Sequence, residues 1–197
     1  MRRPVLFKDA RYFQIIFQTL FLCYGIFFLH WTNEGWLYGT YFITSLLFQF
    51  ICEWIFGKKN IPLWQRYQKG IPSILISSFG LSLLLKTNEI PVAITAAAVS
   101  ILSKYLLRIN GKHIFNPSAL GIVSAVLLTG KAWISPGQWG SGVVIVFAVL
   151  CFGFIVTTKV QKLDVSLAFL GTFAALLFAR KTYTLLTMPS FHLKSVW

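Results

Sequence analysis

The sequence predicts an all-α, polytopic integral membrane protein of about 6–7 hydrophobic helices, some of them short or broken. Three observations carry this reading. Hydrophobic residues make up 56% of the 197 positions and charged ones only 12%, too few to clothe a water-soluble core of this size. The apolar residues fall into separate stretches rather than an alternating strand pattern. The cations sit in the gaps between those stretches, where topology determinants belong.

The first stretch, Tyr12–Trp31, comes after Arg2, Arg3, Lys8 and Arg11. It is too long for a signal-peptide core, and His30-Trp31-Thr32-Asn33-Glu34 offers no small-residue cleavage site, so we expect an uncleaved first span. The second, Trp36–Phe56, is also long enough to cross. The remaining stretches are Ile71–Leu85, Pro91–Leu107, Pro117–Thr129, Gly142–Thr157 and Val165–Ala179. They run to roughly 13–17 residues, below the ~20 of an ordinary crossing, as in folds built from partial helices. The chain is expected to form a single membrane domain over 1–197, with 182–197 as an amphipathic tail or the start of a second half.

Net charge is +13, which in a soluble protein would point to nucleic acid; placement excludes that partner here and points to the lipid bilayer. With a cytoplasmic N-terminus and seven crossings, the far side holds only Lys86, Lys131, Arg180, Lys181 and Lys194. Trp133 and Trp139 suit an interfacial belt on that side. Small residues at helical spacing (Ser73, Ser77, Gly80; then Ala93, Ala97, Ser100, Lys104) predict close packing of the third and fourth helices as a hairpin joined through Lys86–Ile90.

The sharpest candidate site is Gly111-Lys112-His113-Ile114-Phe115-Asn116-Pro117-Ser118-Ala119-Leu120-Gly121. Asn is a strong helix N-cap and Pro favours the first helical position, so a helix starts at Pro117. The chain then stays apolar for about 12 residues, or ~18 Å, too short for a ~30 Å hydrocarbon core. A half-length helix with a positively polarised start, with Lys112 and His113 beside it, suits a phosphate, a flavin edge or a quinone oxygen. The plainer reading is an ordinary helix start after a cytoplasmic loop.

Lys104 either points into the bundle, where charge tends to be functional, or snorkels to the headgroups. Glu53 lies on a polar stripe with Tyr38, Ser45 and Gln49; it either serves an ion path or pairs with Lys58 and Lys59. Cys23, Cys52 and Cys151 sit in separate apolar stretches, and His30, His113 and His192 share no ligand spacing, so no metal site is expected. Asp164 reads as a helix N-cap. No catalytic residue is identified; there is no phosphate loop, nucleophile elbow or zinc motif.

The run Ser73–Leu85, the Ala-rich helix with Lys104, and the Phe115-Asn116-Pro117-Ser118-Ala119-Leu120-Gly121 element together resemble one membrane-subunit family. Its members are the D subunit of Rnf-type electron transport complexes and the B subunit of Na⁺-translocating NADH:quinone reductases. The likeness covers Pro72 to Val123 in motif and the rest in hydropathy. It implies an inverted-repeat fold of about ten helices, of which this chain is the N-terminal half or a divergent short member. It also implies a subunit of a redox-driven, ion-translocating complex in a bacterial inner membrane, with other subunits as partners and FMN, riboflavin or quinone as cofactor. The family links FMN to a threonine in a Gly-Ala-Thr motif; this sequence has none, so no threonine is carried over. The motif residues Lys112, His113, Asn116, Pro117 and Gly121 are the expected cofactor-binding set, with Lys104 and Glu53 on an ion path. Two other classes compete: a small-solute transporter or channel without redox chemistry, and a membrane scaffold with a degenerate site.

Overall fold

The computed structural model describes residues 10–31, 35–57, 60–109, 112–134, 150–155, 157–158 and 163–187. Of Ala10, Lys112, Leu163, Val165 and residues 185–187 it describes the backbone alone. The chain divides into two compact units, Met1–Val149 and Leu150–Trp197.

Helices make up most of the first unit: α1 (Ala10–Phe27), α2 (Gly35–Phe56), α3 (Leu63–Leu84), α4 (Ile90–Leu106) and α5 (Pro117–Thr129). Short strands join them: β1 (Leu85–Thr87), β2 (Arg108–Ile109), β3 (Lys112–His113) and β4 (Ala132–Ile134). The mainly helical character expected from the sequence is therefore present.

Element boundaries differ from the hydropathy boundaries in two instructive places. α1 ends at Phe27, and His30 takes a left-handed φ of 57°. That turn sends Trp31 back onto the helix, where its ring fills the space a Cβ on Gly25 would need. α3 starts at Leu63, two turns ahead of the apolar run, because Gln65, Arg66 and Lys69 are as compatible with a helix as Leu is. α5 spans Pro117–Thr129 as the cap signals required, and closes on Gly130 at φ 62°.

Packing departs from the expected α3–α4 hairpin. The two helices are consecutive and touch, but α4 packs chiefly against α2 and α5, and α3 against α1 and α2. The reason lies in side-chain size. α4 buries Ala93, Ala96, Ala97 and Ser100, so neighbours approach it on both sides rather than one. Its core with α2, α3 and α5 includes Leu37, Tyr41, Leu81, Ile122 and Ala125. A second cluster, Leu22, Trp31, Tyr38, Phe79 and Leu83, ties α1 to α2 and α3.

One end of the bundle is closed by β1 pairing antiparallel with β4, Lys86 opposite Trp133. The Tyr41 hydroxyl donates to the Leu85 carbonyl (3.2 Å), and Thr87 Oγ1 to the Lys131 carbonyl (2.9 Å). Lys86 is buried with Nζ 5.0 Å from the Trp31 ring centroid and 5.3 Å from that of Tyr38. Burial holds its amine down at about 8. The unfolded chain therefore keeps this proton over a range in which the folded chain has released it. Stability should rise with pH from about 8 towards the ordinary lysine value. A melting series across that window should show the rise in the native protein and its flattening in Lys86→Met.

Large apolar side chains lie on the outside, and several polar ones are buried within the apolar core. Ser45, Ser78, Ser82 and Ser100 are fully buried, and Gln49 and Lys104 are nearly so. Trp54 (72% exposed), Phe27, Ile43, Leu47, Leu127 and Leu128 face outward. Among the described residues, α2 is long and apolar enough to cross a membrane, with only 28% of its apolar window buried; α4 and α5 are apolar but shorter.

The second unit contains helical residues 150–155 and 157–158, and α6 (Leu163–Thr187). Asp164 lies inside the first turn of α6 rather than at its cap, where its carboxylate still complements the helix dipole. Leu167, Phe169, Leu170, Phe173, Leu176 and Phe178 distribute apolar surface around all sides of α6. Trp139, the rest of Gly142–Thr157 and positions 188–197 of the expected tail lie outside the described residues.

Candidate functional site: an interrupted helix over a buried lysine

Between α4 and α5 the backbone leaves the helix and returns. β2 and β3 pair antiparallel, Arg108 with His113 and Ile109 with Lys112, leaving Asn110-Gly111 as the connection. The Ile114 amide then donates to the Leu107 carbonyl (3.3 Å), folding the hairpin back on the end of α4.

Asn116 caps α5 as its sequence position required: Oδ1 accepts from the Ser118 amide at 3.1 Å, and Pro117 occupies the first helical position. The start of α5 lies within the height of the bundle. With 13 residues α5 is about 20 Å long, against about 33 Å for the 22-residue α2 and α3. Its C-terminal end is anchored through β4 and β1 level with the C-terminal end of α3, where the N-terminal end of α2 also lies. Gly121 faces the Ala96 carbonyl and Ser100, two to three turns into α4. Pro117 therefore begins roughly 13 Å short of the other end of α2 and α3.

The chain itself claims much of this helix start. Pro117 has no amide, Asn116 Oδ1 takes that of Ser118, and the Asn116 carbonyl takes that of Leu120 (3.0 Å). At most the Ala119 amide is left to a guest. Exposed His113, Ile114 and Phe115 flank it. Removing the cap with Asn116→Ala should cost about 1 kcal/mol, and Asn116→Asp close to nothing, in paired chemical melts.

The other candidate residues take different positions. Lys104 points into the bundle, not to a headgroup: it is 3% exposed and its Nζ donates to the Ser73 carbonyl at 2.9 Å. His113 is exposed, and its imidazole is held below the ordinary histidine range. Partial loss of hydration is the largest cause, then the Arg108 and Lys104 charges; a hydrogen bond to the Lys104 carbonyl pulls the other way. Gly121 is a contact glycine: a Cβ there would lie 2.5 Å from the Ala96 carbonyl oxygen. Lys112 contributes β3 backbone; its side chain lies outside the described residues.

Glu53 joins a network assembled from three helices. Its Oε1 accepts from Tyr105 Oη (2.7 Å) and Gln49 Nε2 (3.3 Å), while Oε2 faces Arg66 Nη1 at 3.8 Å. Arg66 Nη1 also donates to the Glu53 carbonyl (2.9 Å), closing the end of α2. Gln49 Nε2 meets Tyr105 Oη closely, and Arg108 lies over the Tyr105 ring at 5.0 Å. Lys58 and Lys59, the partners expected for Glu53, lie outside the described residues. The Gln49–Glu53 spacing of four was legible in the sequence; Tyr105 and Arg66 reach the carboxylate from other helices and left no local signal. Among the described residues, Gln49 Oε1, Arg66 Nε, and the hydroxyls of Ser45, Ser82 and Ser100 are buried without a hydrogen-bond partner. There is also, among those residues, no cluster of His, Cys, Asp and Glu able to hold a metal.

Comparison with known proteins finds no matching protein family, no matching curated protein and no matching solved structure.

Proposed function

We propose that this chain is a polytopic subunit of a bacterial inner-membrane, redox-driven ion-translocating complex, with its N-terminus cytoplasmic. The observation that carries the membrane reading is the apolar exterior. Large apolar side chains cover much of the outside, while Lys104, Gln49 and serines are buried among the apolar side chains of the core. Water would penalise that surface; hydrocarbon would not. Partner subunits would supply the electron donors and acceptors.

The residues at the interrupted helix fit a flat cofactor held without a covalent link. Ile114 and Phe115 offer an exposed apolar platform. The Ala119 amide offers a hydrogen bond to a quinone or flavin oxygen. His113 gives the one N–H of its neutral imidazole to the Lys104 carbonyl, so its ring offers a guest an acceptor nitrogen rather than a donor. When bound, such a group supplies electron carriage; the chain's part is to orient it and exclude water.

Purified full-length protein tests this. The chain should stay in the membrane pellet after an alkaline carbonate wash and carry extractable flavin or quinone. His113→Ala and Phe115→Ala should lower that content several-fold without changing the melt. Folded, membrane-retained protein that is colourless and quinone-free would overturn the cofactor reading.

The unpartnered buried hydroxyls of Ser45, Ser82 and Ser100 favour a second reading, a conduit for a small solute or ion without redox chemistry. Solute flux into vesicles by cofactor-free protein would select it.

A further inference from the structure

A cleft of about 660 Å³ opens between α1 and α3, away from the interrupted helix, lined by Arg11, Tyr12, Gln65, Gln68, Lys69 and Pro72. Its origin is local. Pro72 lies inside α3, where it has no amide for the Gln68 carbonyl and its ring presses against that carbonyl.

Chemistry at the rim is one-sided. Arg11 and Lys69 approach from different helices, Gln65 and Gln68 bring amide donors, Tyr12 brings a hydroxyl, and none of these described lining residues is acidic. An arginine fork with a lysine and neutral donors is a phosphate-binding set. Arg11 stands in the first turn of α1 and Lys69 in the second turn of α3, at the depth where headgroups meet the bundle if the membrane reading holds. Tyr12, Ile16 and Leu20 succeed one another at steps of four on α1, and Ile16 and Leu20 are exposed. An apolar track thus leads from the cleft along the helix, as an acyl chain requires and an inorganic ion does not.

We propose that this cleft binds the phosphate of an anionic lipid, with its tail laid along the Ile16–Leu20 stripe. The inference rests on the membrane reading of the chain. Full-length protein is melted in neutral detergent, with phosphatidylglycerol, phosphatidylcholine or inorganic phosphate added. Phosphatidylglycerol should raise the melting temperature by about 3 °C or more; the other two should not. Arg11→Gln with Lys69→Gln should abolish the rise, and Arg11→Lys with Lys69→Arg should keep it. Arg180→Gln with Lys181→Gln, which removes the same charge elsewhere, should also keep it. No rise in the native protein, or its survival in the double glutamine variant, would overturn the proposal. An equal rise with inorganic phosphate would overturn the lipid assignment. Carbonate-wash retention, measured on the same samples, shows separately whether the membrane reading has failed.

Discussion

Gly121→Leu is expected to lower the melting temperature by about 9 °C, the equivalent of about 3 kcal/mol in a chain of this size. A Cβ at Gly121 would lie 2.5 Å from the Ala96 carbonyl oxygen and 3.0 Å from Ser100 Cβ. The nearer obstacle is backbone, so no rotamer change relieves it. α4 and α5 must separate, and the separation unpacks Ile122 and Ala125 from the core they share with Ala93 and Ala97. Gly121→Ala meets the same oxygen with less bulk and should cost less. Val123→Leu, on the exposed side of the same helix, should change stability by no more than about 0.5 kcal/mol. A Gly121→Leu melt matching that of the native protein would mean that α4 and α5 are not in contact there.

A second large effect is expected at Lys104, and it should separate fold from function. The ammonium is 3% exposed with the Ser73 carbonyl as its partner. Lys104→Glu would set a carboxylate against that carbonyl in a buried site, an uncompensated charge that should cost about 3 kcal/mol or more. Lys104→Met removes the charge and keeps the volume. It leaves no orphan behind, because the Ser73 carbonyl also accepts from Ser77 Oγ at 3.0 Å. We therefore expect the methionine variant to melt within about 1 kcal/mol of the native protein, or above it. If Lys104 serves an ion path, ion-linked turnover of the assembled complex should fall at least tenfold in the same variant. Methionine destabilising as much as glutamate would show that the charge is needed for folding. Unchanged turnover would show that it is structural.

The helix start at Pro117 was fully legible because both of its causes are local: Asn116 to cap and Pro117 to begin. The polar N-terminal turns of α3 were not legible from hydropathy, which registers apolar residues and not helical compatibility. The small-residue stripes of α3 and α4 predicted close contact correctly in kind. They did not give the partner, because Ala and Ser carry no label for the neighbour they admit. Gly80 faces Ser118 and Gly121 faces Ala96, so both stripes met α5.

Glu53 teaches the same lesson with charge. Its proximity in sequence to Lys58 and Lys59 predicted an interfacial pair. In the described structure its carboxylate meets Tyr105 and Arg66, whose side chains arrive from α4 and α3.

Composition, cap signals and the placement of cations determined on their own that this chain is mostly helical, where α5 begins and ends, and that Lys104 shares a helix face with small residues. These properties depend on neighbours within a few positions, so one dimension holds them. Tertiary structure alone decided which helices pack together, that the Lys104 ammonium turns inward to Ser73, and that Gly121 lies against the α4 backbone. Those outcomes depend on which distant surfaces leave the fewest voids and unpaired groups, a competition among whole helices that no single segment encodes.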